Sequence, residues 1–136
     1  MDKWDGDKKT TLDKIKEKLE SLEYGPVFYG AVPEMMELEE WNYLVFSRVS
    51  NRFDQRKTSI TPYYEITIVA EDYVPEDIVK KVLWALDLIP GMSLAGEEIP
   101  FDYIRKPNTS TVVETATITM CEPQKYCKRC GSWMHG

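Results

Sequence analysis

The residues best suited to chemistry lie near the carboxyl end of the sequence. The chain has three cysteines and one histidine, and a Cys-x-x-Cys-Gly turn can present two thiolates to one zinc ion, with Gly permitting the tight backbone path. The candidate zinc ligands are Cys121, Cys127, Cys130 and His135. Because four protein ligands leave no position for water, such an ion is expected to be structural. The alternative is a tail with spare thiols, since the spacing matches no standard finger.

The rest of the sequence offers little that would support catalysis. It contains no glycine-rich dinucleotide or phosphate loop and no Gly-x-Ser-x-Gly motif, and its one histidine is second from the end. Neighbouring acids occur at Glu39-Glu40, Glu71-Asp72 and Glu97-Glu98. A functional carboxylate needs a perturbing environment, and a solvated surface is the expected place for such pairs. We therefore predict that the protein is not an enzyme.

The charge balance argues against a surface that grips nucleic acid. The chain has 136 residues, a formal net charge of -6, 43% hydrophobic residues and 29% charged residues, which fits one globular domain. A groove that holds phosphates normally carries surplus lysine and arginine. That surplus is missing, so neighbouring DNA would be guided or repelled. We also expect a soluble, cytoplasmic protein without a membrane partner, because neither a secretory signal nor a membrane-spanning stretch is evident.

Two amphipathic helices are predicted from the spacing of apolar residues. The first covers about residues 11–24, with Thr10 and Asp13 as a capping box and Gly25-Pro26 as the stop. Its apolar stripe consists of Leu12, Ile15, Leu19 and Leu22. The second opens at Val74-Pro75, carries acids in its first turn, and stops at Pro90-Gly91.

The remaining pattern predicts strands and an α+β fold. Residues 27–29 are either a strand or an extended lead-in, and strands are expected over residues 41–49, 63–70, 100–106 and 111–120, the last two forming an antiparallel hairpin. The predicted architecture is an antiparallel sheet of about four strands packed with two helices, in the order α-β-β-α-β-β. The predicted segments are a flexible leader over residues 1–9, the α+β domain over 10–120 and a cysteine-containing tail over 121–136.

Residues 50–61 are predicted to form a long polar connection suited to contacts with a neighbour. The candidate interface residues within it are Arg52, Phe53, Asp54, Arg56 and Lys57. The alternative is a plain solvated hairpin. The aromatic residues are expected mainly in the core, with some at subunit contacts, because they follow core periodicity and no basic groove accompanies them. They are Trp41, Tyr43, Phe46, Tyr63, Tyr64, Trp84, Phe101 and Tyr103.

Several short stretches carry a family resemblance over about residues 10–120. They are Tyr-Tyr-Glu-Ile-Thr-Ile-Val at 63–69, Tyr-Val-Pro-Glu-Asp at 73–77, Ile-Pro-Gly-Met-Ser-Leu-Ala at 89–95, and Lys-Pro-Asn-Thr at 106–109 with Val-Val-Glu at 112–114. These stretches, and the order of helices and strands, resemble the tail-terminator and tail-to-head joining proteins of long-tailed phages. The cysteine tail departs from that pattern.

The resemblance implies a structural virion protein at the head–tail junction, assembled in the host cytoplasm. It implies a homo-oligomeric ring, typically of six subunits, that caps the tail tube and halts its growth. The implied partners are the tail tube protein, the head–tail connector or stopper protein, and DNA that passes through the lumen without sequence recognition. The alternatives are a head-completion or connector protein of the same junction, a zinc-stabilised protein-binding module, and an enzyme acting through surface acids.

Overall fold

A computed structural model of the chain describes residues 9–32, 40–55, 58–127 and 132–135, with the backbone alone for 125–127 and 132–135. The helices are α1 (Thr11–Glu20) and α2 (Glu76–Asp87). The strands are β1 (Val27–Tyr29), β2 (Tyr43–Phe53), β3 (Ser59–Glu71), β4 (Ser93–Leu94), β5 (Phe101–Arg105), β6 (Val112–Cys121), β7 (Gln124–Cys127) and β8 (Ser132–His135).

The first helix begins as predicted and ends earlier than predicted. The Thr10 hydroxyl accepts a hydrogen bond from the Asp13 backbone N–H, and the Asp13 carboxylate accepts one from the Thr10 N–H. After α1 ends, Glu23 adopts the left-handed conformation at φ 53°, the role predicted for Gly25. Gly25 is needed for another reason, because a Cβ atom there would collide with the Asn42 backbone carbonyl at the start of β2.

The prediction of an α+β fold with two helices is confirmed, and the sheet is mixed and larger than predicted. Its strand order is β1-β2-β3-β6-β4, with β5 also beside β6, β7 beside β3, and β8 outside β7. The long strands β2, β3 and β6 are antiparallel, whereas β1 runs parallel to β2. Strands as short as β1 and β4 show too few residues for a clear alternation, which is why the pattern left residues 27–29 undecided and did not predict β4.

The predicted long connection over residues 50–61 is wrong. Strand β2 continues to Phe53 and β3 already begins at Ser59, so most of this segment is a β-hairpin. We call residues 50–61 the β2–β3 arm. Its register shifts by one residue at a bulge beside Val49. The β2 side of the hairpin is exposed over residues 48–53. Because no side chain there is buried, its residues do not alternate between apolar and polar, and the pattern did not predict a strand.

The hydrophobic core lies between one face of the sheet and the two helices. Side chains that alternate along the three long strands point toward the helices and are fully or almost fully buried: Leu44, Phe46, Tyr64, Ile66, Ile68, Ala116, Ile118 and Met120. The helices contribute Ile15, Leu19, Ile78, Val82 and Leu86. On the opposite side of the sheet, Val69 and Val113 are also buried, and the side chains farther along β2, β3 and β6 are partly exposed.

Candidate assembly surfaces

The structure describes three of the five residues predicted to form an interface, all of them in the β2–β3 arm. The Arg52 guanidinium lies 4.5 Å from the centroid of the Tyr63 ring, and the Phe53 side chain is 66% exposed. Arg56 and Lys57 lie outside the described residues. The arm therefore presents an arginine fixed by an aromatic ring next to an exposed phenylalanine, a combination that is common at protein interfaces.

Asp54 fixes the turn of the arm. Its carboxylate accepts hydrogen bonds from the Thr58 backbone N–H at 2.8 Å, the Thr58 hydroxyl at 2.9 Å and the Ser59 N–H at 3.3 Å. The hydrogen bond from the Thr58 side chain is the largest cause that lowers the pKa of Asp54 below its ordinary value. Asp54 thus has an internal structural role.

The uncovered side of the sheet is lined by hydroxyl groups. We define the open face as the side chains of Val45, Ser47, Glu65, Thr67, Thr115, Thr117 and Thr119, all of them partly exposed. The strand register places them in rows, with Ser47 beside Glu65 and Thr119, and Val45 beside Thr67 and Thr117. The open face so defined holds one carboxylate, that of Glu65. At the two ends of the same side of the sheet lie Arg52, over the Tyr63 ring, and Lys106, paired with Glu71.

A partly buried ion pair closes the end of the sheet where β2 begins. Lys106 Nζ lies 2.7 Å from Glu71 Oε1, and the Trp41 backbone N–H donates to the same oxygen at 3.1 Å. The hydrogen bond from Lys106 is the main cause that lowers the pKa of Glu71. Glu71, predicted to be a solvated surface acid, therefore links three separate segments of the chain.

Glu122 is a buried carboxylate that no sequence pattern singled out. It is 2% exposed and accepts hydrogen bonds from the Thr11 hydroxyl at 2.9 Å and the Gln124 amide at 2.8 Å. Burial, and then the charge of Glu122, raise the pKa of Tyr64. The carboxylate lies at the start of α1, where the helix dipole favours negative charge. These contacts attach α1 to the sheet.

The backbone does not bring all four predicted zinc ligands together. Cys121 lies opposite Tyr63, whereas Lys125 lies opposite Ser59 farther along the same strand. At about 3.3 Å per residue, Cys127 is then about 20 Å from Cys121, too far to share an ion. Strands β7 and β8 form a hairpin in which Cys127 pairs with Ser132, and His135 pairs with Gln124. Cys130 lies outside the described residues, and a zinc site in this hairpin stays a prediction.

Several aromatic residues predicted for the core are exposed. Trp84 on α2 is 69% exposed, and Tyr103 and Phe101 on β5 are 66% and 47% exposed. Phe46 and Tyr64 are buried as predicted. Trp84 was expected in the core with the other aromatic residues, but the buried side of α2 is the one that carries Ile78, Val82 and Leu86.

No protein-family model and no curated protein matches this chain. Among the described residues, no helix is long and apolar enough to cross a membrane. Among the same residues, no group of three or more His, Cys, Asp or Glu side chains is arranged to hold a metal ion.

Proposed function

We propose that this protein is a structural component of a virus particle that forms a ring at the end of a phage tail tube. The ring stops growth of the tube and joins the tail to the head, and DNA passes through its lumen. The observation that carries the proposal is the open face, which combines partial exposure, a row of hydroxyl groups and one carboxylate. The family resemblance of the sequence supports the same role.

A channel for DNA must surround the duplex without holding it. Lysine and arginine side chains bind phosphates by displacing counterions, so a lumen rich in them would retain DNA. Threonine and serine hydroxyls are polar enough to stay hydrated, and Glu65 adds a repelling charge to each subunit. With the open face turned inward and the helices outward, the repeated sheets would form such a channel.

The proposed role assigns a partner to each rim of the ring. One rim contacts the tail tube protein, and the other contacts the head–tail connector or stopper protein. This role requires no catalysis. It places the protein at the head–tail junction of the virion after assembly in the host cytoplasm.

The test is the mass of the purified protein in solution, measured by light scattering over a range of concentrations and with isolated tail tubes added. We expect a closed ring, free or formed on the tubes, with six subunits as the resemblance implies. Electron microscopy of the same samples should show a central channel. A monomer at every concentration that ignores the tubes would contradict the proposal. A ring that binds the connector and not the tubes would assign the protein to the head side.

A further inference from the structure

The β5 strand and the far part of β2 form two exposed edges on opposite sides of the sheet. Strand β5 pairs with β6 alone, and all five of its residues are exposed. On the other side, β1 pairs with β2 only over residues 44–46. Among the described residues, no strand covers the outer edge of β2 from Arg48 to Phe53. Exposed edges of this kind are templates for pairing with another chain.

The hydrogen-bond register shows which backbone groups of β5 face outward. The Thr117 N–H donates to the Pro100 carbonyl, and the Lys106 N–H donates to the Thr111 carbonyl. Because the inward and outward directions alternate in an antiparallel pair, Asp102 and Ile104 face β6. The backbone groups of Phe101, Tyr103 and Arg105 therefore point away from the sheet.

The same analysis applies to the β2 edge. Leu44 donates its N–H to the Pro26 carbonyl and Phe46 accepts from the Gly30 N–H, so the even-numbered residues up to Arg48 face outward. Beyond the bulge, the Asp54 N–H donates to the Ser59 carbonyl, which reverses the alternation. Asn51 and Phe53 then carry the outward backbone groups. Pro62, which has no N–H, lies opposite Asn51, as this register requires.

The two edges are complementary in charge and share exposed apolar surface. Residues 48–53 contain Arg48 and Arg52 and no acid, whereas residues 97–105 contain Glu97, Glu98, Asp102 and a single arginine. The exposed apolar side chains are Val49 and Phe53 on the β2 edge and Phe101, Tyr103 and Ile104 on the β5 edge. A basic, partly apolar edge facing an acidic, partly apolar edge favours pairing between unlike edges.

Strand direction and height agree with this pairing. Successive antiparallel pairing through β3 and β6 makes β2 and β5 antiparallel to each other. We take the register in which Arg48 of one copy pairs with Tyr103 of the next. Within one copy, Arg48 is level with Met120 of β6 and Tyr103 is level with Glu114 of β6. The two paired residues therefore differ in height along the strands by about 20 Å, at about 3.3 Å per residue. Four strand spacings per subunit are about 19 Å. The resulting tilt of about 45° matches the roughly 35–45° of strands in closed sheets.

We propose that the β2 edge of one copy pairs antiparallel with the β5 edge of the next copy, so that the sheet continues from subunit to subunit. This inference deepens the proposed ring and rests on it, because unlike edges joined head to tail form a ring when the rotation between copies closes and an open filament when it does not. Arg52, over the Tyr63 ring, and Asp102, beside Thr115, lie on the same side of the sheet and come close to each other across the contact. The sheet then presents the open faces of successive subunits on one side.

Proline variants test the backbone part of the proposal. Tyr103→Pro and Asn51→Pro each remove an outward N–H and leave the backbone hydrogen bonds of the sheet intact. Tyr103→Pro also removes the hydrogen bond between the Tyr103 side chain and Glu114. Each should raise the concentration at which half of the protein is assembled at least tenfold in light scattering. Circular dichroism and the melting temperature report whether each variant is folded. Folded variants that assemble like the wild type would overturn the pairing.

Charge reversal gives a test that does not depend on proline. Arg48→Glu with Arg52→Glu, and separately Glu98→Arg with Asp102→Arg, should each weaken assembly at least tenfold, and combining all four changes in one chain should restore it. Lys80→Glu with Lys81→Glu on α2 is the matched control and should leave assembly unchanged. If the wild type forms rings that no reversal affects, the edge pairing is wrong and the ring stands. If the wild type stays monomeric with and without tail tubes, the ring itself fails.

Discussion

Glu71 illustrates how much of a side chain's role depends on its neighbours. In the sequence it is one acid of a pair, but in the fold it accepts hydrogen bonds from Lys106 and from the Trp41 backbone. Its side chain is 25% exposed, and that of Lys106 is 19% exposed. The pair links the turn after β5 to the beginning of β2. We expect its contribution to stability to depend on pH.

The sign of that dependence follows from the lowered pKa of Glu71. The ionised carboxylate stabilises the fold above the ordinary pKa of 4.5, and this contribution is lost as the pH falls through the lower folded value. Glu71→Gln should therefore unfold at lower urea concentration than the wild type at pH 7, and the difference should be smaller at pH 3. The control Glu17→Gln, in an exposed pair with Lys9, should change little at either pH. An equal loss at both pH values would contradict the prediction.

At the scale of elements, strand β3 separates the core from the open face. Ile66 is completely buried against the helices, and its neighbour Thr67 points to the opposite side and is partly exposed. The sequence predicted this alternation correctly, because successive side chains of any strand point to opposite faces. Which face meets the helices follows from hydrophobicity.

Ile66→Ala should lower the free energy of unfolding by about 3 kcal/mol, because it removes buried methyl groups and leaves a cavity between the sheet and the helices. Thr67→Ala, one residue away, should cost less than about 1 kcal/mol, the range of strand propensity. Urea unfolding of both variants as monomers checks the prediction. Equal losses would mean that the open face is covered within one chain.

At the scale of the whole molecule, the open face should control how the ring interacts with DNA. Thr67→Lys with Thr117→Lys places two lysine side chains in one row of that face. Rings should still form, since neither residue lies on the β2 or β5 edge. These rings should retain short duplex DNA at low salt and release it as salt rises, because lysine contacts to phosphate release counterions.

The matched control adds the same charge outside the open face. Ser21 lies at the end of α1, and Ser110 lies in the turn between β5 and β6, and both are exposed. Ser21→Lys with Ser110→Lys should retain much less DNA than the open-face variant in fluorescence anisotropy over a salt series. Equal retention by the two variants would contradict the assignment of the open face to the lumen.

The sequence by itself determined the α+β class, the two helices, the capping box at Thr10 and the alternation of β3 and β6. These features depend on residues within a few positions of one another, so the spacing of apolar residues and the capping motif predict them directly.

Only the tertiary structure decided the parallel pairing of β1, the extension of β2 and β3 into the arm, the burial of Glu122 and the exposure of Trp84. Each depends on which distant segment lies alongside, and that is set by long-range packing that local spacing does not encode. The same holds for the β2 and β5 edges. A strand's own residues do not show whether a neighbour covers its backbone, so the surface proposed to join the subunits became visible only once the sheet order was known.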